Sequence, residues 1–400
     1  MPVIVQKYSG SSLSTIDKMK KVAEAVVNKK EEGNKVVVVV SAMNNTTDRL
    51  INLAKKISDE PDKRELDVLL STGEMASASL LAMTIKEMGC DAVSYTAYQI
   101  GMRTVGDYGN SLIADLDDRA INRSLRKDKV VIIAGFQGIN WLGDITTLGR
   151  GGSDTTAVAI AVKLNAICEI YTYADGIYDI DPREYKYARK LEEIDYEEVI
   201  ELTSLGAQLL HLRAIELAQK YKIPIHVRLS FSDVKGTVIK EVNTMNMESK
   251  PITGIATSDE DVAVTIKDIY SDINIISNLF EALASKKINV DMISQTAPID
   301  GRVNVSFTIP KENIETCLNI IDDFAERENV YVDKDIDKFS VVGIGMKSTS
   351  GVAARMFKLF SDNGIEVKMI TTSQIRITCA IKQSDKQKAV DLVIKNFRHQ

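Results

Sequence analysis

The chain has 400 residues, a net charge of −6, 44% hydrophobic and 26% charged side chains, the composition of an ordinary globular protein of two or three domains. The acidic balance, with no basic stripe, argues against nucleic acid as the main partner. No unbroken apolar run approaches the ~20 residues that cross a bilayer, so no membrane partner is expected.

The opening Met-Pro-Val-Ile-Val reads as a first strand rather than a signal peptide. The short loop Lys7-Tyr8-Ser9-Gly10-Ser11-Ser12 follows it, rich in small polar residues and carrying a lysine, and a helix is expected over residues 16–30. Five consecutive valines, 36–40, form a strand ending at Ser41, with Thr47 beyond it. Residues 67–88 read as a helix, in which Ser71-Thr72-Gly73-Glu74 places a carboxylate near a helix N-terminus; residues 111–125 read as another. Residues 130–134 and 167–173 are further apolar strands. Strands apolar on both faces belong to a mainly parallel sheet covered by helices, so residues 1–230 form an α/β domain.

The most informative segment is Thr146-Thr147-Leu148-Gly149-Arg150-Gly151-Gly152-Ser153-Asp154, which precedes an apolar helical run over residues 155–164. Glycines let backbone amides approach an anion, and a helix N-terminus adds a favourable dipole. Arg150 can grip a carboxylate or phosphate with two parallel hydrogen bonds. A glycine-rich strand-to-helix turn capped by Ser or Asp is common without any ligand. Two such loops, at Lys7 and at Arg150, each at the C-terminal end of a strand, instead fit a ligand crevice in an open α/β sheet. After the strand at 167–173, Asp175-Gly176 makes a bend, Tyr178 offers an aromatic face for a base and Arg183 a further cation; ordinary turn chemistry is the competing reading.

The polar, methionine-rich stretch 243–250 precedes Pro251 and reads as a linker. Beyond it, the segment from Phe280 to Ile293 aligns with that from Phe357 to Ile370. Each copy reads strand (261–266; 338–344), helix, strand, strand (302–309; 374–381), helix, a duplicated ferredoxin-like βαββα unit. Such modules pair with the sister copy or with another subunit.

There is no Gly-x-x-x-x-Gly-Lys-Ser/Thr loop and no Gly-x-Gly-x-x-Gly after the first strand, so phosphate must be bound in another way. Lys7 can neutralise phosphate charge, Ser41 and Thr47 offer hydroxyls, Glu74 can receive an ammonium, Arg150 a carboxylate, and Asp154 can position a donor. Together these suit a zwitterionic amino acid held beside a polyphosphate, and phosphoryl transfer needs positioning and cations more than covalent help. Singly, Lys7 also reads as a solvated side chain, Glu74 as a first-turn helix charge and Ser41 as a strand cap. Cys90, Cys168, Cys317 and Cys379 are far apart in apolar surroundings and read as reduced core thiols of a cytoplasmic protein. His211, His226 and His399 are too scattered for a zinc site.

These motifs resemble the aspartate kinases of the amino-acid kinase superfamily. The resemblance runs through Lys7-Tyr-Ser-Gly-Ser-Ser-Leu13, Val39-Val-Ser-Ala-Met43 with Thr46-Thr47, Ser71-Thr-Gly-Glu74, Gly135-Phe-Gln-Gly138, Thr147 to Asp154, Tyr171 to Arg183 and Gly206 to Ala214. It extends into the repeats, which look like two ACT domains. It implies a three-layer amino-acid-kinase-like α/β domain with a mainly parallel central sheet over residues 1–245, and two βαββαβ-type ACT domains at 246–330 and 331–400. The implied reaction moves the γ-phosphoryl group of Mg-ATP onto the side chain of L-aspartate, giving 4-phospho-L-aspartate. That is the entry to lysine, threonine and methionine synthesis.

By the same resemblance Lys7, Arg150 and Asp154 are catalytic, with Asp154 orienting Lys7 or the site around it. Ser41, Thr47, Glu74, Phe136, Arg150 and Ser153 line the aspartate pocket. Lys7, Ser9, Gly10, Thr172, Tyr173, Tyr178 and Arg183 receive ATP. The nucleotide holds Mg²⁺, with no dedicated protein cage. Ser271, Asn289, Val290 and Asp291 mark an effector site for lysine or threonine, and the ACT domains support a homo-oligomer. Met245 or Met247 could start a separate regulatory chain.

The sequence departs from the family pattern at several places. Ser9 and Ser11 replace a glycine and a threonine of the first loop, Tyr173 stands where Thr-Asp is usual, Gln208 where lysine is usual, and Leu212 where proline is usual. Ser271-Asp-Ile-Asn274 replaces an Asp-x-Pro-Gly turn. Two alternatives remain open at this stage: a kinase for another acidic amino acid or carbamate, and a catalytically weak amino-acid sensor built on the ACT pair.

Overall fold

The computed structural model describes residues 1–205, 210–242 and 251–397. Gln208, His399, the 243–250 linker with Met245 and Met247, and the boundary expected at 245/246 lie outside them. The described chain forms two compact units. The first holds Met1–Tyr178, Tyr187–Thr203 and residues 210–242; the second holds residues 251–397 together with the excursion Asp179–Lys186 and residues 204–205.

The first unit runs β1 (Val3–Tyr8), α1 (Ile16–Glu31), β2 (Lys35–Val40), α2 (Thr46–Lys55), α3 (Lys63–Glu87), β3 (Ala92–Tyr95), β4 (Arg103–Val105) and β5 (Leu112–Asp115). It continues with α4 (Arg119–Arg126), β6 (Val130–Ala134), β7 (Gln137–Ile139), β8 (Ile145–Thr147), α5 (Gly152–Leu164), β9 (Ile167–Thr172), β10 (Glu193–Ile194), α6 (Tyr196–Ser204), α7 (Leu212–Tyr221), β11 (Ile225–Leu229) and β12 (Thr237–Ile239). An eight-stranded sheet, ordered β10-β12-β11-β9-β1-β2-β6-β3, is parallel except between β11 and β12. Val36, Val38 and Val40 face α1 and α3 in one core cluster, while Val39 lies against the start of α5 on the other face. That is the three-layer arrangement expected, and full burial of each valine contributes roughly 1.5–3 kcal/mol. A four-stranded sheet, β5-β4-β7-β8, stands beside it.

Three expectations need correction. Residues 112–115 form β5, paired with β4, and the helix expected from 111 begins only at Arg119, after the acidic stretch Asp115–Asp118. The helix expected from 67 begins at Lys63, where Asp62 caps it by accepting from the Glu65 N–H. Glu74 therefore sits in mid-helix, away from any N-terminal dipole. The 25-residue α3 also has the length and apolarity to cross a membrane. Its inward face, however, carries buried Asp67, Ser71, Glu74 and Ser77 and packs on the sheet, as the core helix of a globular domain does.

The second unit contains β13 (Gly254–Ser258), β14 (Asp261–Tyr270), α8 (Ile273–Ser285), β15 (Asp291–Gln295), β16 (Arg302–Pro310), α9 (Ile314–Ile321), β17 (Val330–Asp333), β18 (Asp337–Val342), α10 (Val352–Asp362), β19 (Val367–Thr372), β20 (Arg376–Ile381) and α11 (Lys386–Phe397). Two antiparallel sheets result, β15-β16-β14-β17 and β13-β18-β20-β19. The first is a sequential βαββαβ module. In the second, the place beside β18 is filled by β13, which lies within the range expected for the first module. The boundary expected at 330 falls at the start of β17, which pairs with β14 in the first sheet.

Candidate active site

The functional side chains gather where the parallel strands end, the usual ligand crevice of an open α/β sheet. β1 delivers Lys7 on the face toward α5, one step past Val5. Its ammonium lies 2.7 Å from Asp154 in the first turn of α5, and both residues are nearly buried. Asp154 is also within 3.4 Å of the His211 N–H. The helix enters from Gly151, which takes φ 76° and lies so close to His211 that any side chain there would collide with the imidazole. Gly151 itself is therefore the N-cap, and Ser153 and Asp154 occupy the first turn rather than the cap.

After β1, the chain turns through Ser9 and Gly10. Ser9 adopts φ −70°, so its replacement of a glycine strains nothing; its hydroxyl lies 2.9 Å from that of Ser11 and 3.0 Å from that of Ser12. Gly10 is fixed by proximity: a Cβ would strike the Ala42 carbonyl oxygen just past β2. The Asn44 N–H also donates to the Gly10 carbonyl at 3.0 Å. Ser41 follows β2 directly, and half-buried Thr47 lies in the first turn of α2. Phe136 follows β6 at φ 69°, held by its N–H to Thr156 Oγ1 at 3.1 Å. Ser153 stands beside Gly135, its hydroxyl 3.0 Å from where a Cβ would be.

Glu74 carries the most informative electrostatics. Its Oε1 accepts the Ala42 N–H at 2.9 Å, while Oε2 is buried without a hydrogen-bond partner. Burial pushes the carboxyl up to about 7, against the lowering effect of the Ala42 N–H. Ala42 belongs to the turn that abuts Gly10, so this half-satisfied acid borders the Lys7 loop.

Arg150 is exposed, one residue before Gly151, on the loop that starts α5. Thr172 ends β9, and its carbonyl accepts the Ser230 N–H at 3.0 Å. Tyr173 is 69% exposed. The Tyr178 hydroxyl donates to Asp175 at 2.9 Å, and Lys190 reaches the same carboxylate at 3.2 Å. Arg183 falls in the second unit, where it grips Asp181 through Nε at 3.0 Å and a terminal nitrogen at 2.6 Å.

Sequence reasoning missed three supports. Asp67, read only as a helix start, is 1% exposed and accepts from the Gly109 N–H at 2.9 Å, the Thr147 N–H at 2.8 Å and the Thr147 hydroxyl at 2.7 Å. It ties α3 to the strand that feeds the Arg150 loop. Arg213 donates to the carbonyls of Leu148 at 2.7 Å and Ser111 at 2.8 Å, pinning the loop's other flank. Glu169, buried in β9, gathers Gln6, Tyr171 and Arg228 beneath the stacked rings of Tyr8 and Tyr171, 4.6 Å apart. Asp67 did leave a signal: with Leu70, Ser71, Glu74, Ser77, Ala78 and Leu81 it follows the helical period of a buried face.

A three-layer domain with a cationic, glycine-bounded crevice at its strand ends, followed by paired βαββαβ-type modules, defines an amino acid kinase with ACT domains. The amino acid kinase family model matches residues 2–228, and the ACT domain model matches residues 255–323 and 339–397. An aspartokinase from Geobacillus stearothermophilus is 45% identical over 398 residues, 99% of this chain and 97% of its own. Aspartokinase 2 of Bacillus subtilis is 44% identical over 395 residues, 98% and 96% of the two chains. The chain belongs to the aspartokinase family. The solved structure of E. coli aspartokinase III with lysine and aspartate, in its T state, shares the fold: TM-score 0.81 and 22% identity over 99% of both chains.

Proposed function

We propose that this site transfers the γ-phosphoryl group of ATP to the side-chain carboxylate of L-aspartate. A carboxylate oxygen forms the new bond to phosphorus, the bond from phosphorus to the bridging oxygen breaks, and its electron pair leaves on ADP. The observation that carries the reading is the unpaired, buried Oε2 of Glu74 beside the Lys7 loop. An acid held neutral near pH 7 by burial gains most from an ammonium, which supplies both the missing hydrogen bond and the countercharge.

Glu74 then takes the substrate ammonium and Arg150 its α-carboxylate, with Ser41, Thr47, Phe136 and Ser153 as walls. Lys7, aimed by Asp154, meets the charge on the transferring group. Ser9, Gly10, Thr172, Tyr173 and Tyr178 are assigned to the nucleotide; Arg183, expected there by the resemblance, belongs to the second unit. Mg²⁺ in this proposal rides on the ATP phosphates and neutralises them. The setting is the cytoplasm, where both substrates are found.

Lysine or threonine is the proposed effector, at Ser271, Asn289, Val290 and Asp291. The Ser271 N–H is engaged by the Gly301 carbonyl at 2.8 Å, and Asp291 accepts from Lys338 at 3.2 Å. Self-association through the ACT modules has exposed apolar side chains to use, Ile293 and Ile370.

ATP-dependent hydroxamate formation with aspartate, glutamate and acetylglutamate tests the reaction. Aspartate alone is expected to react, with activity lost in Lys7→Ala and Arg150→Ala; turnover of another acid in preference sinks the reading. Rate and melting temperature during lysine and threonine titrations test the effector, and light scattering tests self-association.

A further inference from the structure

The two ACT modules carry opposite charges at equivalent places in their repeat. The offset that brings Phe280 onto Phe357 also brings Asp261 onto Lys338, Asp291 onto Lys368 and Met292 onto Met369. These residues meet in the fold. The Lys338 ammonium lies 2.7 Å from Asp261 and 3.2 Å from Asp291, and that of Lys368 lies 2.7 Å from Asp333. The Lys338 and Asp261 side chains are only 11% and 14% exposed. Alongside, Ala263, Met292, Ile336 and Ala380 form a small buried cluster against which Met369 packs.

Strand alternation shows which faces are involved. Val262, Val264 and Ile266 of β14 join the core under α8 and α9, so Asp261 and Ala263 lie on the helix-free face. In β18, Phe339 packs edge-on against Phe360 of α10, leaving Lys338 and Ser340 on the opposite face. The modules thus meet through their helix-free faces. Two residues from the same place in the repeat touch one another there, as a local two-fold axis requires. Duplication alone would leave such a surface equally able to meet a copy of itself.

We propose that the charge divergence is a pairing code: the acidic face of the first module, Asp261, Asp291 and Asp333, accepts the basic face of a second module, Lys338 and Lys368, and rejects a first module from another copy of the chain. About the same axis, a first–first pair sets Asp261 against Asp261, and a second–second pair sets Lys338 against Lys338. Like charges in a nearly dry interface repel far more strongly than in water, so discrimination comes from the forbidden pairs as much as from the permitted one.

Thermal unfolding and light scattering of the full chain test the code. Asp261→Lys and Lys338→Asp each lower the melting temperature by roughly 5 °C or more, and the double exchange recovers at least half of the loss. The uncharged pair Asp261→Leu with Lys338→Met keeps the melting temperature but gains concentration-dependent association through like modules. Kinase activity at saturating substrate stays within about twofold throughout, reporting an intact first unit. The code is overturned if the double exchange melts as the sum of the single losses, or if the single variants melt like the native chain. It is equally overturned if the uncharged pair shows no new association.

Discussion

Asp67 and Glu74 sit two turns apart on the buried face of α3, at 1% and 3% exposure, yet only Asp67 has partners for both of its oxygens. Three donors, one from the Gly109 loop and two from the end of β8, converge on it, and it acts as a post that fixes the strand before the Arg150 loop. Glu74 has one donor and one orphaned oxygen, and burial holds its proton up to about pH 7. Neighbouring acids on one helix thus separate by what the fold supplies to each. A carboxylate completed by protein donors is part of the scaffold; one left incomplete in a dry place is prepared for a cation from outside.

The largest effect expected from breaking this contrast is on stability, at Asp67. Asp67→Ala leaves the Gly109 and Thr147 N–H groups buried without an acceptor and should lower unfolding free energy by about 3 kcal/mol. Urea unfolding should show this as a lower midpoint with an unchanged slope. A loss under about 1 kcal/mol would mean that water replaces the carboxylate and that Asp67 is no post.

At Glu74 the expectation reverses. Glu74→Gln should raise KM for aspartate roughly 100-fold, the loss of a buried ion-pair hydrogen bond worth about 3 kcal/mol. kcat at saturation should change much less. Without substrate, the Glu74→Gln variant should also be more stable than the native chain at pH 8. The Glu74 carboxyl is raised from 4.5 to about 7. Below 4.5 it is protonated in both folded and unfolded chains, and between 4.5 and 7 only the folded chain keeps the proton. Native stability therefore falls as pH rises through that window, by about 3 kcal/mol. A variant that still binds aspartate normally refutes the ammonium role.

A smaller effect sharpens the same point in the native enzyme. Below pH 7 the free site holds a neutral Glu74 that must release its proton to meet the substrate ammonium. KM for aspartate should then rise up to about tenfold per pH unit on descending from roughly pH 7 to 5.5. Calorimetry in buffers of different ionisation enthalpy should detect proton release on binding at about pH 6.5. Binding without proton release would leave the ionisation state of Glu74 unconnected to the substrate.

The contrast also shows what the sequence could and could not disclose. The valine strand, the duplicated modules and the Thr146 to Asp154 loop were legible because each rests on local pattern: period, repeat or glycine placement. The resemblance sets Asp154 to orient Lys7 or the site around it, and in the structure the two lie 2.7 Å apart. What stayed hidden depends on distant partners. Asp67 takes its meaning from Gly109 and Thr147, Arg213 from Leu148 and Ser111, and no local window contains those pairs. The start of α3 was misplaced because its first turn is polar and exposed, so the apolar period becomes visible only later, and Glu74 was credited with a dipole it does not feel. Strand β13, for which the sequence pattern gave no reading, pairs with β18 rather than with its sequence neighbour β14, a matter of which sheet has a vacant edge.

Asp337, in the second unit, gives the contrast its smallest and most discriminating test. It is 1% exposed, neither carboxylate oxygen has a close hydrogen-bond partner, and burial pushes it up to about 6 despite the Lys386 ammonium 3.8 Å away and the opposing pull of the Ser258 backbone. Like Glu74 it is incomplete. Unlike Glu74 it has a cation of its own chain in view, and Lys386 divides its charge between Asp337 and Glu184, which is at 3.0 Å. A raised carboxyl adds stability below its unfolded value of 3.8 and loses it as pH rises through 6. Asp337→Asn should therefore stabilise the chain by about 1 kcal/mol at pH 8, make no difference at about pH 3.5, and leave KM for aspartate unchanged. Loss of stability at pH 8 would mean that Lys386 completes Asp337 as the Gly109 and Thr147 donors complete Asp67. An incomplete acid would then mark a ligand site only where the chain offers no cation of its own, and Glu74 meets that stricter condition.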